Sequence, residues 1–178
     1  MPRLLPLPLD HLSAETAAAF DRHVQEQQSR ITNMKATMGR SVLVFDIYMH
    51  WYDLYEQVKA IVGGRAAYLF AHAISVGSSC PLCTMYFRKL IIDNGEDPAH
   101  LILTADEQAV LDFGGAMGAK TGQVDNAIYD AVRSRYSETE LVVLVGFAGQ
   151  MIATNVFNNV FEVEIDSYLA PYVSVNKP

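Results

Sequence analysis

Residues 137–161 read SETELVVLVGFAGQMIATNVFNNVF, and this stretch decides the fold class. It opens on Ser137-Glu138-Thr139-Glu140, a capping box in which a serine hydroxyl and a glutamate carboxylate each satisfy a backbone N–H of the first helical turn. Residues 141–161 then carry no Asp, Glu, Lys or Arg. Length alone suits a membrane span of about 20 residues. Gln150, Thr154, Asn155, Asn158 and Asn159 argue otherwise, because amides and hydroxyls need partners that lipid does not supply. The stretch is predicted to be a long apolar helix buried in protein, with Gly146 and Gly149 allowing close helix approach and the asparagines either closing a pocket or, the favoured reading, bonding across a subunit interface. Residues 66–87 are likewise free of formal charge, contain His72, Ser75, Ser78 and Ser79, and take the same reading. No membrane contact is expected.

Working outward, helical signals follow one another. Ser13 is placed to cap a first helix, with Glu15 in its first turn, running to about residue 29. Ser41 is placed to cap a second. Leu43, Ile47, Trp51, Leu54, Val58 and Ile61 recur there every three or four residues, and Gly63-Gly64 ends the stripe. Residues 65–76 form another apolar helix that breaks at Gly77-Ser78-Ser79. The next starts at Cys80-Pro81-Leu82-Cys83 and stops at Asn94-Gly95. Thr104-Ala105-Asp106-Glu107 is a further capping box, and a short helix after Thr121 covers Val124, Ile128, Ala131 and Val132. No run alternates like a half-buried strand. The chain is read as all-α, with about six to eight helices in one domain over residues 1–178. Residues 1–12, broken by three prolines, form an extended arm and not a signal peptide. Residues 164–178 form a tail in which Pro171 and Pro178 oppose further helix.

Composition narrows the function classes. Hydrophobic residues make up 51% of the 178 and charged residues 19%, which excludes a disordered chain. The formal net charge of -7 leaves nothing to neutralise phosphates, so nucleic acid is not an expected partner. With two cysteines and no secretion signal, the expected compartment is the reducing cytoplasm, where a CxxC serves catalysis or metal binding more often than stapling. His11, His23, His50, His72 and His100 are scattered and add no metal-ligand spacing, so no metal is expected.

The reactive centre therefore falls on Cys80 and Cys83. Proline is favoured at the first helical position, which puts Cys80 near the N-cap and Cys83 about one turn in. Free N–H groups there favour thiolate, whereas burial opposes it. One sulfur can attack an oxidant and the other resolve it as a disulfide. Two buried, inert thiols are the competing reading.

The order of features resembles the carboxymuconolactone decarboxylase / AhpD-like alkylhydroperoxidase superfamily across residues 31–165. The stretches that carry it are Ile31-Thr32-Asn33-Met34, Arg65, the run from Gly77 to Cys83, Leu103-Thr104-Ala105-Asp106-Glu107-Gln108-Ala109-Val110-Leu111, and Tyr136-Ser137-Glu138-Thr139-Glu140-Leu141-Val142 leading to Asn155-Val156-Phe157-Asn158. The resemblance implies an AhpD-like helical fold that oligomerises through apolar helices as trimers or hexamers, a dimer also being possible. It further implies attack by Cys83 and resolution by Cys80. The family's relay histidine, four residues after Cys83, is replaced by Phe87, and its relay glutamate, twelve residues before Cys80, by Tyr68. Tyr68 and His72 share one helix face and form a candidate substitute relay. His50 and the rings of Tyr48, Trp51, Tyr52 and Tyr55 are candidates to line a pocket for an apolar or aromatic substrate.

The leading expectation is an oxidoreductase of the peroxiredoxin type. It would reduce a small hydroperoxide, or exchange disulfides, with electrons from a dithiol reductant protein and no cofactor. The alternatives are a lyase acting on a small carboxylated substrate through Arg65 and His72, and a non-catalytic oligomer.

Overall fold

The computed structural model describes residues 1–119 and 122–173. Among them are nine α-helices and no strand: α1 Ala14–Gln27, α2 Asn33–Met38, α3 Val42–Met49, α4 Trp51–Val62, α5 Gly64–Gly77, α6 Pro81–Asp93, α7 Ala105–Ala119, α8 Asn126–Arg133 and α9 Glu138–Phe161. A 3₁₀ helix over Ser167–Tyr172 follows.

The expected caps are in place. Ser13 Oγ accepts the Thr16 N–H, Ser41 Oγ accepts the Val44 N–H, and Ser137 and Glu140 close their box reciprocally. Thr104 and Glu107 do the same at the head of α7. Three elements differ from the sequence reading. The stripe from Leu43 to Ile61 is two helices, because the chain bends at His50 between α3 and α4. Helix α2 is one short turn-and-a-half capped by Thr32, too brief for periodicity to reveal. The tail is not loose: the 3₁₀ helix accommodates Pro171 and buries Leu169 completely. Thr121, which was expected to precede α8, and Pro178 lie outside the described residues.

Helix α5 is the hub, packed against α4, α6, α7 and α9. Its approach to α7 is set by glycines. A Cβ on Gly118 would lie 2.4 Å from the Ile74 carbonyl oxygen, and one on Gly77 would lie 2.6 Å from that of Gly115. Phe70, Ile74, Val110, Phe113, Leu144 and Phe147 fill the interior between α5, α7 and α9. Helix α9 is long and apolar enough to cross a bilayer, but its Leu141, Leu144, Phe147, Ala148 and Met151 are buried in this packing. Gly146 and Gly149 face open space instead of a helix within the chain. The amides of Asn155, Asn158 and Asn159 point inward, which corrects their expected place at an interface. Asn155 is fully buried, Asn158 Nδ2 reaches Cys83, and Asn159 Nδ2 donates to the Ser78 carbonyl.

Candidate functional site

The cysteine pair lies where α5 gives way to α6. Ser79 adopts a left-handed conformation (φ 50°), which reverses the chain after α5. The Cys80 N–H is then satisfied by the Ser75 carbonyl at 3.1 Å. Cys80 is the N-cap of α6 and Pro81 its first residue, as the Cys-Pro order predicts. Both thiols are free and buried, Cys80 being 1% and Cys83 5% exposed.

The two effects left in competition by the sequence divide between the two sulfurs. The Cys83 S–H, and then the backbone amides of Leu82 and Cys83 and the Asn158 amide, favour thiolate at Cys80 and outweigh burial, bringing it down to about 7. The amides act at longer range, since Cys80 closes no capping hydrogen bond. Cys83 is pushed up because it is the donor in this pair and is fully enclosed. Once ionised, above about pH 7, the pair holds one proton and one negative charge. Asn158 Nδ2 donates to Cys83 Sγ at 3.2 Å and also contacts Met34 Sδ at 3.4 Å.

Each sulfur borders a different space. Cys83 lines a cavity of about 250 Å³ walled by Trp51, Tyr52, Tyr86, Phe87, Met151 and Tyr168. Cys80 borders a second, shallower cleft with Asn158, Asn159, Glu162, Val163 and Ile165. The first cavity has a polar end that sequence reasoning did not find. Lys35 is 3% exposed there, and its ammonium donates to Ser29 Oγ, the Arg30 carbonyl and Tyr52 Oη. Burial lowers its pKa to about 8, with Asp166 opposing that shift. Asp166 is raised by burial, its Oδ1 accepts the Asn33 N–H at 2.9 Å, and its Oδ2 is buried without a protein partner. The tail closes this end: Tyr168 stacks under the Arg30 guanidinium at 4.4 Å, and Arg88 Nε donates to the Tyr172 carbonyl. A lone lysine in the short α2 and an aspartate in a proline-bearing tail gave no signal, since both acquire meaning only by meeting in space.

The structure does not bring Tyr68 and His72 to this cavity. Tyr68 Oη donates to Glu96 Oε1 at 2.7 Å, on a separate surface cleft with Tyr55, Lys59 and Arg65. His72 lines neither thiol cavity, and burial followed by the Arg88 charge lowers its pKa to about 4. Arg65, the candidate carboxylate binder, is itself taken up by Glu96 and Glu107 and by the Ile102 carbonyl. Trp51 and Tyr52 do line the cavity of Cys83, whereas Tyr48 packs on Phe157 and Tyr55 on Phe147. His50 is exposed and hydrogen-bonded to Asp53. Among the described residues no group of three or more His, Cys, Asp or Glu gathers as metal ligands.

No protein-family model matches the sequence, and no curated protein matches it. Solved structures do. The debrominase Bmp8 without ligand superposes with a TM-score of 0.77 at 15% identity, over 96% of this chain and 95% of that one. A cysteine-to-alanine variant of Bmp8 in complex with 2,3,4-tribromopyrrole gives 0.75 at 15% identity, with the same coverage. An uncharacterized peroxidase-related protein from Silicibacter sp. TM1040 gives 0.66 at 18% identity, over 94% of each chain.

This chain has the AhpD-like fold.

Within this fold the Cys-Pro-Leu-Cys sequence sits at the turn from the hub helix α5 into α6. Phe87 is 2% exposed and packs against Tyr86 as part of the core, with no capacity to move a proton.

Proposed function

We propose that the protein is a thiol-dependent reductase of a small apolar or aromatic electrophile, foremost an organic hydroperoxide, acting through Cys83 and Cys80. The observation that carries this reading is the division of the pair between two spaces. Cys83 borders an aromatic cavity, while Cys80, the sulfur favoured as thiolate, borders a separate cleft. An engineered apolar cavity of about 150 Å³ holds benzene, so about 250 Å³ suits one substituted ring. Cys83 meets the substrate, its proton passing to the neighbouring Cys80 thiolate, and Cys80 then closes the disulfide. A dithiol reductant protein approaches from the Cys80 cleft.

A second reading draws on the neighbour whose cysteine variant holds 2,3,4-tribromopyrrole. The same dithiol and ring-sized cavity suit removal of halogen from an aromatic ring. Sulfur attacks the halogen, the carbon–halogen bond breaks and the ring carbon takes a proton from solvent. The second thiol then displaces halide from that sulfur, releasing its own proton as the disulfide forms. The decarboxylase reading loses support because Arg65 is already neutralised by two carboxylates. The outward stripe of Val142, Val145, Val156 and Val160 on α9, with Gly146 and Gly149 beside it, is the surface we assign to association with further copies of the chain.

The deciding experiment is stoichiometric oxidation of the folded protein by cumene hydroperoxide, read by intact mass and thiol counting. Loss of both thiols to a Cys80–Cys83 disulfide that dithiothreitol reverses supports the reading. Survival of both thiols in folded protein overturns it. A halogenated phenol or pyrrole in the same assay, with halide release as the readout, separates the second reading from the first.

A further inference from the structure

The polar end of the Cys83 cavity has no part in the exchange between the two thiols. Lys35 Nζ donates to Ser29 Oγ at 2.7 Å, to the Arg30 carbonyl at 2.9 Å and to Tyr52 Oη at 3.0 Å, which uses all three of its protons. Ser29 Oγ and Tyr52 Oη lie 2.9 Å apart, so one of these hydroxyls donates to the other. Each hydroxyl has a single proton. One proton of the pair is therefore left over, on a residue that lines the cavity. Asp166 offers the complement. Its Oδ1 is held by the Asn33 N–H, and its buried Oδ2 accepts nothing from the protein. An unpaired buried carboxylate oxygen is costly unless something in the cavity donates to it.

An open donor backed by an ammonium and an open acceptor thus border the same cavity as the nucleophile. We propose that Asp166 Oδ2 and the Tyr52–Ser29 hydroxyl pair clasp the hydroperoxide of a small aromatic ring, with Lys35 as the positioning residue that recharges the hydroxyls with a proton. This assignment rests on the dithiol reading above and replaces the relay that Phe87 and Tyr68 cannot supply.

The terminal O–H of the substrate donates to Asp166, which orients the O–O bond toward Cys83. Sulfur attacks that terminal oxygen, the S–O bond forms and the O–O bond breaks. The ring-bearing alkoxide leaves and takes the spare hydroxyl proton, which the Lys35 ammonium replaces. Cys80, protonated when Cys83 gave up its proton, then attacks the Cys83 sulfur. The S–S bond forms, and hydroxide departs with the Cys80 proton as water. Two electrons come from the two thiols, one hydroperoxide becomes one alcohol and one water, and Lys35 regains its proton from solvent. The charged and titratable groups around Lys35 are Asp166, Arg30 and Tyr52, with His23 beyond Tyr52. Those around Asp166 are Arg30, Lys35 and Tyr168.

The test follows dithiothreitol-supported turnover of cumene hydroperoxide across pH in the full chain and in Asp166→Asn, Tyr52→Phe, Lys35→Met and Lys35→Arg. Asparagine keeps an oxygen for the Asn33 N–H. The wild-type rate rises as the thiol pair ionises near 7 and falls as Lys35 deprotonates near 8. Asp166→Asn is expected to raise KM at least ~10-fold with little change in kcat. Tyr52→Phe and Lys35→Met are expected to lower kcat by ~10²-fold, the lower end of what a positioned acid contributes, and Lys35→Met abolishes the alkaline limb. Lys35→Arg keeps the charge yet moves that limb out of range. Iodoacetamide alkylation of the thiols stays within about twofold of wild type throughout, which separates this role from a general disturbance of the pair. Melting temperature reports folding. Should Asp166→Asn unfold, Tyr52→Phe decides alone. A wild type that forms the disulfide, with unchanged KM, kcat and pH profile in folded variants, overturns the clasp while leaving the dithiol reading intact. A wild type that forms no Cys80–Cys83 disulfide overturns both.

Discussion

Asn158 Nδ2 lies 3.2 Å from Cys83 Sγ and is a polar side-chain donor reaching that sulfur from α9. It ties the longest helix to the α5–α6 turn and places a hydrogen-bond donor where negative charge must develop during attack. A hydrogen bond to a charged acceptor contributes about 1.5–3 kcal/mol. Asn158→Ala is therefore expected to raise the apparent pKa for thiol alkylation by about one to two units. The pH dependence of iodoacetamide labelling of folded protein measures this, and an unmoved midpoint would show that the amide does not support the thiolate.

The glycines between α5 and α7 make a prediction about stability. A methyl group at Gly118 or Gly77 meets backbone within 2.6 Å and can be relieved only by separating the helices. Gly118→Ala should destabilise the fold by at least the ~1–3 kcal/mol typical of overpacking. Gly146→Ala, in open space on α9, should be neutral or gain a fraction of the ~1 kcal/mol by which alanine exceeds glycine in helices. Urea unfolding of the two variants side by side tests the contrast.

His23 is 4% exposed, its Nε2 has no protein partner, and it stands edge-on to Phe45 and Tyr52. Burial, and then the Lys35 charge, lower its pKa from 6.5 to about 4. The unfolded chain thus binds a proton that the folded chain refuses between those values, so stability falls as pH drops from about 6.5 toward 4. His72 adds to the same window. His23→Phe should flatten this dependence, which urea midpoints at pH 7.5 and pH 5 would reveal.

Association through α9 predicts that a charge on its outer stripe disperses the assembly without unfolding it. Val145 is 47% exposed, so Val145→Lys should leave the melting temperature of dilute protein nearly unchanged. Sedimentation should show wild-type oligomers and smaller species for the variant. A monomeric wild type would remove this surface from consideration.

His72 carries a negative prediction. Because it borders neither thiol cavity, His72→Gln should oxidise with cumene hydroperoxide at a rate within about twofold of wild type. A large loss would restore the relay first read from its spacing with Tyr68.

The sequence by itself determined the elements with a local cause. Ser13, Ser41, Thr104 and Ser137 act on N–H groups three residues away, and Pro81 fixes the start of α6, so neighbours in the chain suffice to read them. The all-helical class, the position of Cys80 at a helix head and the resemblance through the CxxC follow from such short-range rules. Tertiary structure alone decided the rest. The break at His50 lies within a stripe whose periodicity continues across it, so the pattern could not show it. The inward turn of the asparagines depended on which face of α9 meets the α5–α6 turn. The polar end of the site is the clearest case, since Asp166 is held by Asn33, 133 residues earlier in the chain. Lys35 and Asp166 each read as ordinary surface or tail residues in sequence, and Tyr52 only as one ring among several that could line a pocket. Only the folding of the tail onto α2 and α6 buries them together, and burial is what turns their charges and hydroxyls into chemistry.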